Sequence, residues 1–321
     1  MAYQTWFDDE TGKDGAFLRQ KNRFITPFGS GPEDLPVEAG RYRLIWSRAC
    51  PWATRQMIVR SLLGLEDAVS VGTVSPVRPE GERSDWEFSL DPGGVDPVLR
   101  VSHLSELYLR TDPGYSGRFT VPVLVDVRTG KVVNNDYINM TYYWEHEWKA
   151  LHKKGAPDLL PEHKREEIFA LNDIIFKEVN NGVYEAGFAR SQEAYEAACS
   201  KVFNRLDWLE DRLQEQLEKG PYLLGQTLTD ADIRLFVTLV RFDAAYYNCF
   251  RVNKKRIRDY PNLWAYSRRL YQIPAFRDNT DFDHIKIHYH RCCDPGNKYQ
   301  LVPKGPDPAD WNEPVDKARI A

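Results

Sequence analysis

The chain has 321 residues, 42% of them hydrophobic and 28% charged, with a formal net charge of −4 at pH 7. That is enough for one large or two ordinary domains with real cores, and the mild negative charge excludes a general pull toward nucleic acid or a membrane surface. No apolar stretch approaches the length of a membrane span, and the start, Met1 to Glu10, has neither the basic nor the apolar region of a signal peptide, so a soluble cytoplasmic protein is expected.

Residues 1–40 read as a polar, extended arm interrupted by Gly29-Ser30-Gly31-Pro32. The β-rich apolar run at 42–47 predicts a strand. The apolar positions of Thr54 to Leu63 recur at helical spacing and predict a helix over 51–63, with Pro51 in its first turn. A second strand at 68–74 completes a β-α-β unit and so implies a parallel pair. Residues 75–117, rich in Pro, Gly and charge, read as a long loop of the kind that is functional or disordered, with a short helix at 103–109. Trp86, in polar company there, reads as an edge anchor. Residues 119–126 and 131–133, joined through Arg128-Thr129-Gly130, predict a hairpin, and a helix is expected from Asp136 to Leu151. This order predicts a thioredoxin-like domain over 41–152.

Beyond Glu162 the pattern is helical, and an all-helical domain is expected over 160–291. Ala194 to Leu217 carries apolar residues at helical spacing amid charges. Thr229-Asp230-Ala231-Asp232 reads as a capping box, with Leu228 and Ile233 as its hydrophobic staple, so Asp232 is a cap before it is anything catalytic. Residues 292–321, rich in Pro and charge, read as an extended tail. The fold class is therefore α+β followed by all-α, in two domains.

Cys50 carries the clearest chemistry. At a strand-to-helix junction its sulfur lies beside unpaired backbone N–H groups and the positive end of the helix dipole, which favours thiolate and can lower a cysteine pKa to ~3.5–7.5. Arg48 and Arg55 add positive charge nearby in sequence. Ala53 stands where a dithiol motif has its second cysteine, so the chemistry is monothiol and needs an external thiol. The alternative is a buried cysteine acting as a small hydrophobe. The 5 cysteines include no C-x-x-C pair, and Cys292 and Cys293 are adjacent, so neither a disulfide framework nor a metal site is expected. Val121-Pro122 stands where a thioredoxin-like domain uses a cis proline, whose preceding backbone N–H and C=O pair with a thiol peptide; an edge-strand proline is the alternative.

Ala49-Cys50-Pro51-Trp52-Ala53, Asn180-Asn181-Gly182-Val183-Tyr184-Glu185-Ala186-Gly187-Phe188-Ala189, Leu228 to Phe236 and Arg258-Asp259-Tyr260-Pro261-Asn262-Leu263-Trp264 together resemble the Xi class of glutathione transferases, the S-glutathionyl-hydroquinone reductases. The likeness runs from about Trp6 to Pro306. It implies a homodimeric reductase that takes an aromatic quinol carrying a thioether-linked thiol and returns the free hydroquinone. Cys50 would be the nucleophile, Trp86 would lie over the thiol ligand, and Tyr184 and Tyr289 would donate hydroxyls to the quinol oxygens. Val121, Pro122, Asp136 and Tyr137 would bind the thiol, which is glutathione or another low-molecular-weight thiol; no metal is implied. A scaffold that has kept the fold and lost turnover is the alternative.

The chain departs from that family at two places. Thr54 replaces a histidine after the cysteine motif, and Asn134-Asn135-Asp136-Tyr137-Ile138-Asn139 replaces Asn-Asn-Glu-Ser-Ser-Glu. The family's Glu-Ser pair binds the γ-glutamyl amine and carboxylate of glutathione, and Tyr137 puts a bulky ring in place of the small hydroxyl. The sugar-linked thiol mycothiol has no γ-glutamyl group and would tolerate the change.

Overall fold

A computed structural model describes residues 10–78 and 85–315 of the chain. Of these, residues 20–157 cluster as one compact unit, and residues 10–19 with 158–315 as another. The arm expected at 1–40 is thus divided. Asp14 and Gly15 bond the helical unit, their carbonyls accepting from Ser191 Oγ and Arg190 N, both at 2.8 Å. Phe24 bonds the first unit, its carbonyl accepting from Asn135 N at 2.8 Å.

The first unit is built on strands β1 (Tyr42–Trp46), β2 (Val69–Thr73), β3 (Val123–Asp126) and β4 (Lys131–Asn134), in the spatial order β2-β1-β3-β4. The crossover helix α1 (Pro51–Leu63) joins β1 to β2, which pair in parallel, Tyr42 opposite Val69. β3 runs antiparallel to β1, Ile45 opposite Val123, and β4 returns antiparallel to β3. Every residue of β1 is buried, as a central strand covered on both faces requires. Gly64 ends α1 in the left-handed region at φ +72°, the conformation that glycine adopts at least cost.

Residues 79–84 of the expected loop lie outside the described residues, and the described parts, 75–78 and 85–117, differ from a plain loop. They supply Trp86, Phe88, Leu99, Val101, Leu104, Leu107, Tyr108 and Tyr115 to the same apolar cluster as Ile45 and Val123. Helix α2 (Leu104–Thr111) falls near the predicted place. Asp96 is fully buried and bonds Arg43 at 2.8 and 3.0 Å, which ties the segment to β1. Helix α3 (Met140–His146) begins later than predicted, because Asp136 opens with a turn: its Oδ1 accepts from the Ile138 and Asn139 amides at 3.2 and 3.3 Å.

The helical unit contains α4 (Arg165–Ile175), α5 (Gly182–Gly187), α6 (Gln192–Gln216), α7 (Asp230–Arg241), α8 (Tyr247–Cys249), α9 (Pro261–Tyr271), α10 (Pro274–Arg277) and α11 (Phe282–Cys292). Helix α7 is buried along its whole length, as its all-round apolar sequence predicts. Its start is held by Asp232, whose carboxylate accepts from Thr229 N at 2.9 Å and Thr229 Oγ1 at 3.1 Å. Wide π-helical turns at Phe176–Asn180 and Phe242–Tyr246 precede α5 and α8. The tail is not simply extended: it folds a short turn at Pro308–Asn312 and seats Trp311 on Trp264, ring centroids 4.8 Å apart. Among the described residues no helix is long and apolar enough to cross a membrane.

Candidate active site

Cys50 is the N-cap of α1, in extended backbone, with Pro51 at the first helical position and no acidic residue in the first turn. The first amides of a helix have no partner within it, and Cys50 stands at that end of α1, although its side chain makes no capping hydrogen bond to them. Cys50 is half-buried and packs against the apolar cluster that contains Trp86. The Cys50 thiol donates to the Val121 carbonyl at 3.4 Å, and the Val121-Pro122 peptide is cis. The structure therefore brings Cys50, Val121 and Pro122 together, with Trp86 in the same cluster. Trp86 is buried, with the Arg78 guanidinium 4.9 Å from its ring centre, and so is core and not an exposed edge anchor.

Asp136 and Tyr137 sit in the turn after β4. The Asp136 carboxylate is engaged by its own neighbourhood, accepting from Asn139 Nδ2 at 2.8 Å and Asn22 Nδ2 at 3.3 Å besides the two amides it caps. The Tyr137 ring rests against Trp52 of α1, centroids 5.0 Å apart, and the Tyr137 carbonyl accepts from Gln56 Nε2 at 3.3 Å and from the buried Arg55 guanidinium. Arg55, expected to add positive potential for the thiol, thus spends part of its hydrogen-bonding capacity on the Tyr137 turn.

In the helical unit Tyr184 and Tyr289 meet. Their hydroxyl oxygens are 2.5 Å apart, and the Tyr246 hydroxyl lies 3.2 Å from that of Tyr289. Asn180 and Asn181 set the entry to α5: Asn180 Nδ2 donates to the Arg234 carbonyl and Thr238 Oγ1 at 2.9 and 2.7 Å, and Asn181 Oδ1 accepts from Arg19 Nε at 2.7 Å. Arg19 also stacks on the Tyr184 ring at 4.7 Å. Gly187 permits Phe250 to pack against α5, since a Cβ there would lie 2.3 Å from the Phe250 ring. Burial, reinforced by Tyr184 and Tyr246, pushes the Tyr289 phenol well above its usual range and keeps it protonated. Sequence reasoning missed Tyr246 and Arg19. The one-turn spacing of Tyr246 and Phe250 is a signal for an aromatic helix face, but nothing local links it to Tyr289.

The sequence pattern described as glutathione S-transferase, N-terminal domain, matches residues 49–147, and that of the C-terminal domain matches residues 192–269. The glutathionyl-hydroquinone reductase YqjG of Escherichia coli is 41% identical over 314 residues, covering 95% of this chain and 93% of its own. Its glutathione-bound structure superposes with a TM-score of 0.80 at 40% identity, over 95% of this chain and 98% of that one. A glutathione transferase from Gordonia bronchialis is 49% identical with a TM-score of 0.83, over 89% of this chain and 87% of that one. The Xi glutathione S-transferase of Phanerochaete chrysosporium is 44% identical with a TM-score of 0.86, over 95% of this chain and 97% of that one.

Proposed function

Because the chain belongs to the Xi class of glutathione transferases, we propose that it is a thiol-dependent reductase acting on thiolyl-hydroquinones through a mixed disulfide on Cys50. The observation that carries this reading is the position of Cys50, at the N-cap of α1 and 3.4 Å from the carbonyl of the cis Val121-Pro122 peptide. The Cys50 thiolate attacks the sulfur of the conjugate. The carbon–sulfur bond breaks, its electron pair goes to the ring carbon, and that carbon takes a proton, while the thiol remains on Cys50 as a disulfide. A second thiol molecule then displaces Cys50 and leaves as the oxidised disulfide. With Ala53 in place of a second cysteine, no internal thiol at the motif competes for this step.

Tyr184 and Tyr289 take the quinol oxygens in this reading, and a phenol kept neutral by burial retains its O–H to donate a hydrogen bond. Trp86 lines the thiol end. The co-substrate is a low-molecular-weight thiol: the name of the relative YqjG supports glutathione, whereas Asp136 and Tyr137 favour a thiol without a γ-glutamyl group, such as mycothiol. A cytoplasmic homodimer fits free thiols in a reducing compartment.

Replacing Cys50 with Ser tests the assignment, because an alcohol cannot form the mixed disulfide. Turnover of a thiolyl-hydroquinone is lost, and mass spectrometry of the wild-type protein after one turnover without free thiol finds the thiol on Cys50. Turnover in Cys50→Ser, or an adduct on another cysteine, overturns it.

A further inference from the structure

In the helical unit, beside the tyrosine cluster, α8 and the end of α11 bring a cysteine, a histidine and an aspartate together. Cys249 Sγ lies 3.1 Å from His290 Nδ1, and the sulfur, a ring nitrogen of His290 and a carboxylate oxygen of Asp294 all lie within 4.8 Å of one another. Cys249 closes α8, His290 is in the last turn of α11, and Asp294 follows α11 in a turn where its Oδ1 accepts from Gly296 N at 3.1 Å.

The imidazole is oriented by a second contact. His290 Nε2 lies 3.2 Å from the Ala244 carbonyl, which can only accept, so Nε2 carries the proton and Nδ1 turns its lone pair to the sulfur. Tying the far ring N–H to a carbonyl is how proteins fix a metal-ligating histidine. Cys249 and His290 are 2% and 4% exposed, yet both remain within reach of solvent-filled space. Cys249 lines a cleft of about 210 Å³, and His290 and Asp294 line another of about 600 Å³.

We propose that Cys249, His290 and Asp294 form a site for a zinc-type divalent cation, with water as fourth ligand. Thiolate, imidazole and carboxylate together select a borderline-soft ion over magnesium or calcium, which prefer all-oxygen shells. The two anionic ligands cancel the charge of the ion, which suits a site that is mostly buried. Zinc–sulfur and zinc–nitrogen bonds of about 2.3 and 2.0–2.1 Å set a tetrahedral edge of about 3.5 Å, so the sulfur and nitrogen separate slightly and the carboxylate closes in. The metal replaces the thiol proton, which leaves to solvent. Cys249 follows Tyr246 by three residues and His290 directly follows Tyr289, so a bound ion cross-links the two segments that carry those hydroxyls.

The test uses the full chain with Cys50→Ser, to silence the reactive thiol, stripped by a chelator and titrated with Co²⁺ as a coloured substitute for Zn²⁺. One equivalent is expected to give a thiolate-to-cobalt charge-transfer band with tetrahedral visible bands, to be displaced by one equivalent of Zn²⁺, and to raise the melting temperature. In the same background Cys249→Ser removes the charge-transfer band. Asp294→Asn, at a partly exposed turn that keeps the fold, weakens Co²⁺ binding about ten-fold or more. Absence of the band overturns the proposal, as does a band that survives Cys249→Ser or is lost instead in Cys293→Ser, whose thiol faces His288 Nε2 at 3.7 Å. Should Cys249→Ser not fold, unchanged Co²⁺ affinity in Asp294→Asn overturns it.

Discussion

Tyr184 and Tyr289 are joined hydroxyl to hydroxyl at 2.5 Å, although they lie 105 residues apart in sequence. Either oxygen can be the donor, so the pair can pass a proton between them without moving a ring. Tyr289 also meets Tyr246, and its replacement by Phe removes both contacts, whereas Tyr184→Phe removes one. We expect both variants to lower turnover of a thiolyl-hydroquinone, by roughly ten- to a hundred-fold, at or below the low end of the ~10²–10⁴-fold that a positioned acid contributes. Tyr289→Phe should be the more damaged. Formation of a mixed disulfide between Cys50 and a simple disulfide reagent, followed by mass spectrometry, should be unchanged in both. A large fall in melting temperature with normal turnover would make the tyrosines packing residues only.

The same burial has a consequence for alkaline stability. Tyr289 and Tyr266 are held well above the ordinary phenol range by burial, and burial pushes Tyr42 up to about 12. Below the unfolded phenol pKa of about 10 these groups are neutral in both states and have no pH effect. Above it the unfolded chain releases their protons while the folded chain keeps them, so stability falls as pH rises toward the folded values. Tyrosinate absorbance in a pH titration should therefore appear in two stages, exposed phenols first and the buried set only together with loss of helical circular dichroism. Ionisation of the full complement ahead of unfolding would contradict the packing described for Tyr289.

Asp232 illustrates what the sequence makes legible. Thr229-Asp230-Ala231-Asp232 marked the start of α7 and the role of Asp232 as its cap, because capping is a local exchange of hydrogen bonds between residues three apart. The structure adds two partners that no local signal reveals: Leu223 N at 2.9 Å and the Tyr266 hydroxyl at 2.8 Å. Burial raises the Asp232 carboxyl above its usual range against these donors. Asp232→Ala strands several buried donors at ~1–3 kcal/mol each, so we expect a loss of at least about 3 kcal/mol in urea unfolding. Asp232→Asn should lose less, and at permissive temperature turnover in either should remain near wild type. Abolished turnover in a folded Asp232→Asn protein would reveal a role beyond capping.

The limits of local reading are equally physical. The β-α-β unit, α1 and the strand-to-helix place of Cys50 follow from short-range periodicity and turn chemistry, and they stand in the structure as read. Trp86, Phe88, Leu99 and Val101 were hidden because their spacing in residues 75–117 follows neither helix nor strand, and only the tertiary cluster shows them to be core. The division of the arm between two units, and the meeting of Tyr246 with Tyr289 or of Cys249 with His290, depend on partners more than 40 residues away.

The choice of thiol turns on Tyr137. Its ring leans on Trp52 in the first turn of the Cys50 helix, and Arg55 and Gln56 fix its backbone carbonyl, so the ring is held in place from two sides. The neighbouring Asp136 carboxylate is taken up by Asn22, Asn139 and two amides, which leaves it poorly placed to receive the γ-glutamyl amine. A carboxylate deprived of its donors loses charge-assisted hydrogen bonds of ~1.5–3 kcal/mol, about ten-fold or more in affinity. We therefore expect a glutathionyl-hydroquinone to show a higher KM and lower kcat/KM than the matching mycothiolyl conjugate. Tyr137→Ser should recover about ten-fold in kcat/KM for the glutathione conjugate while changing the mycothiol conjugate little, since only the former gains a donor for its carboxylate. Equal efficiency with both conjugates in the wild-type protein, or no gain in Tyr137→Ser, would show that Asp136 and Tyr137 already form a working glutathione site.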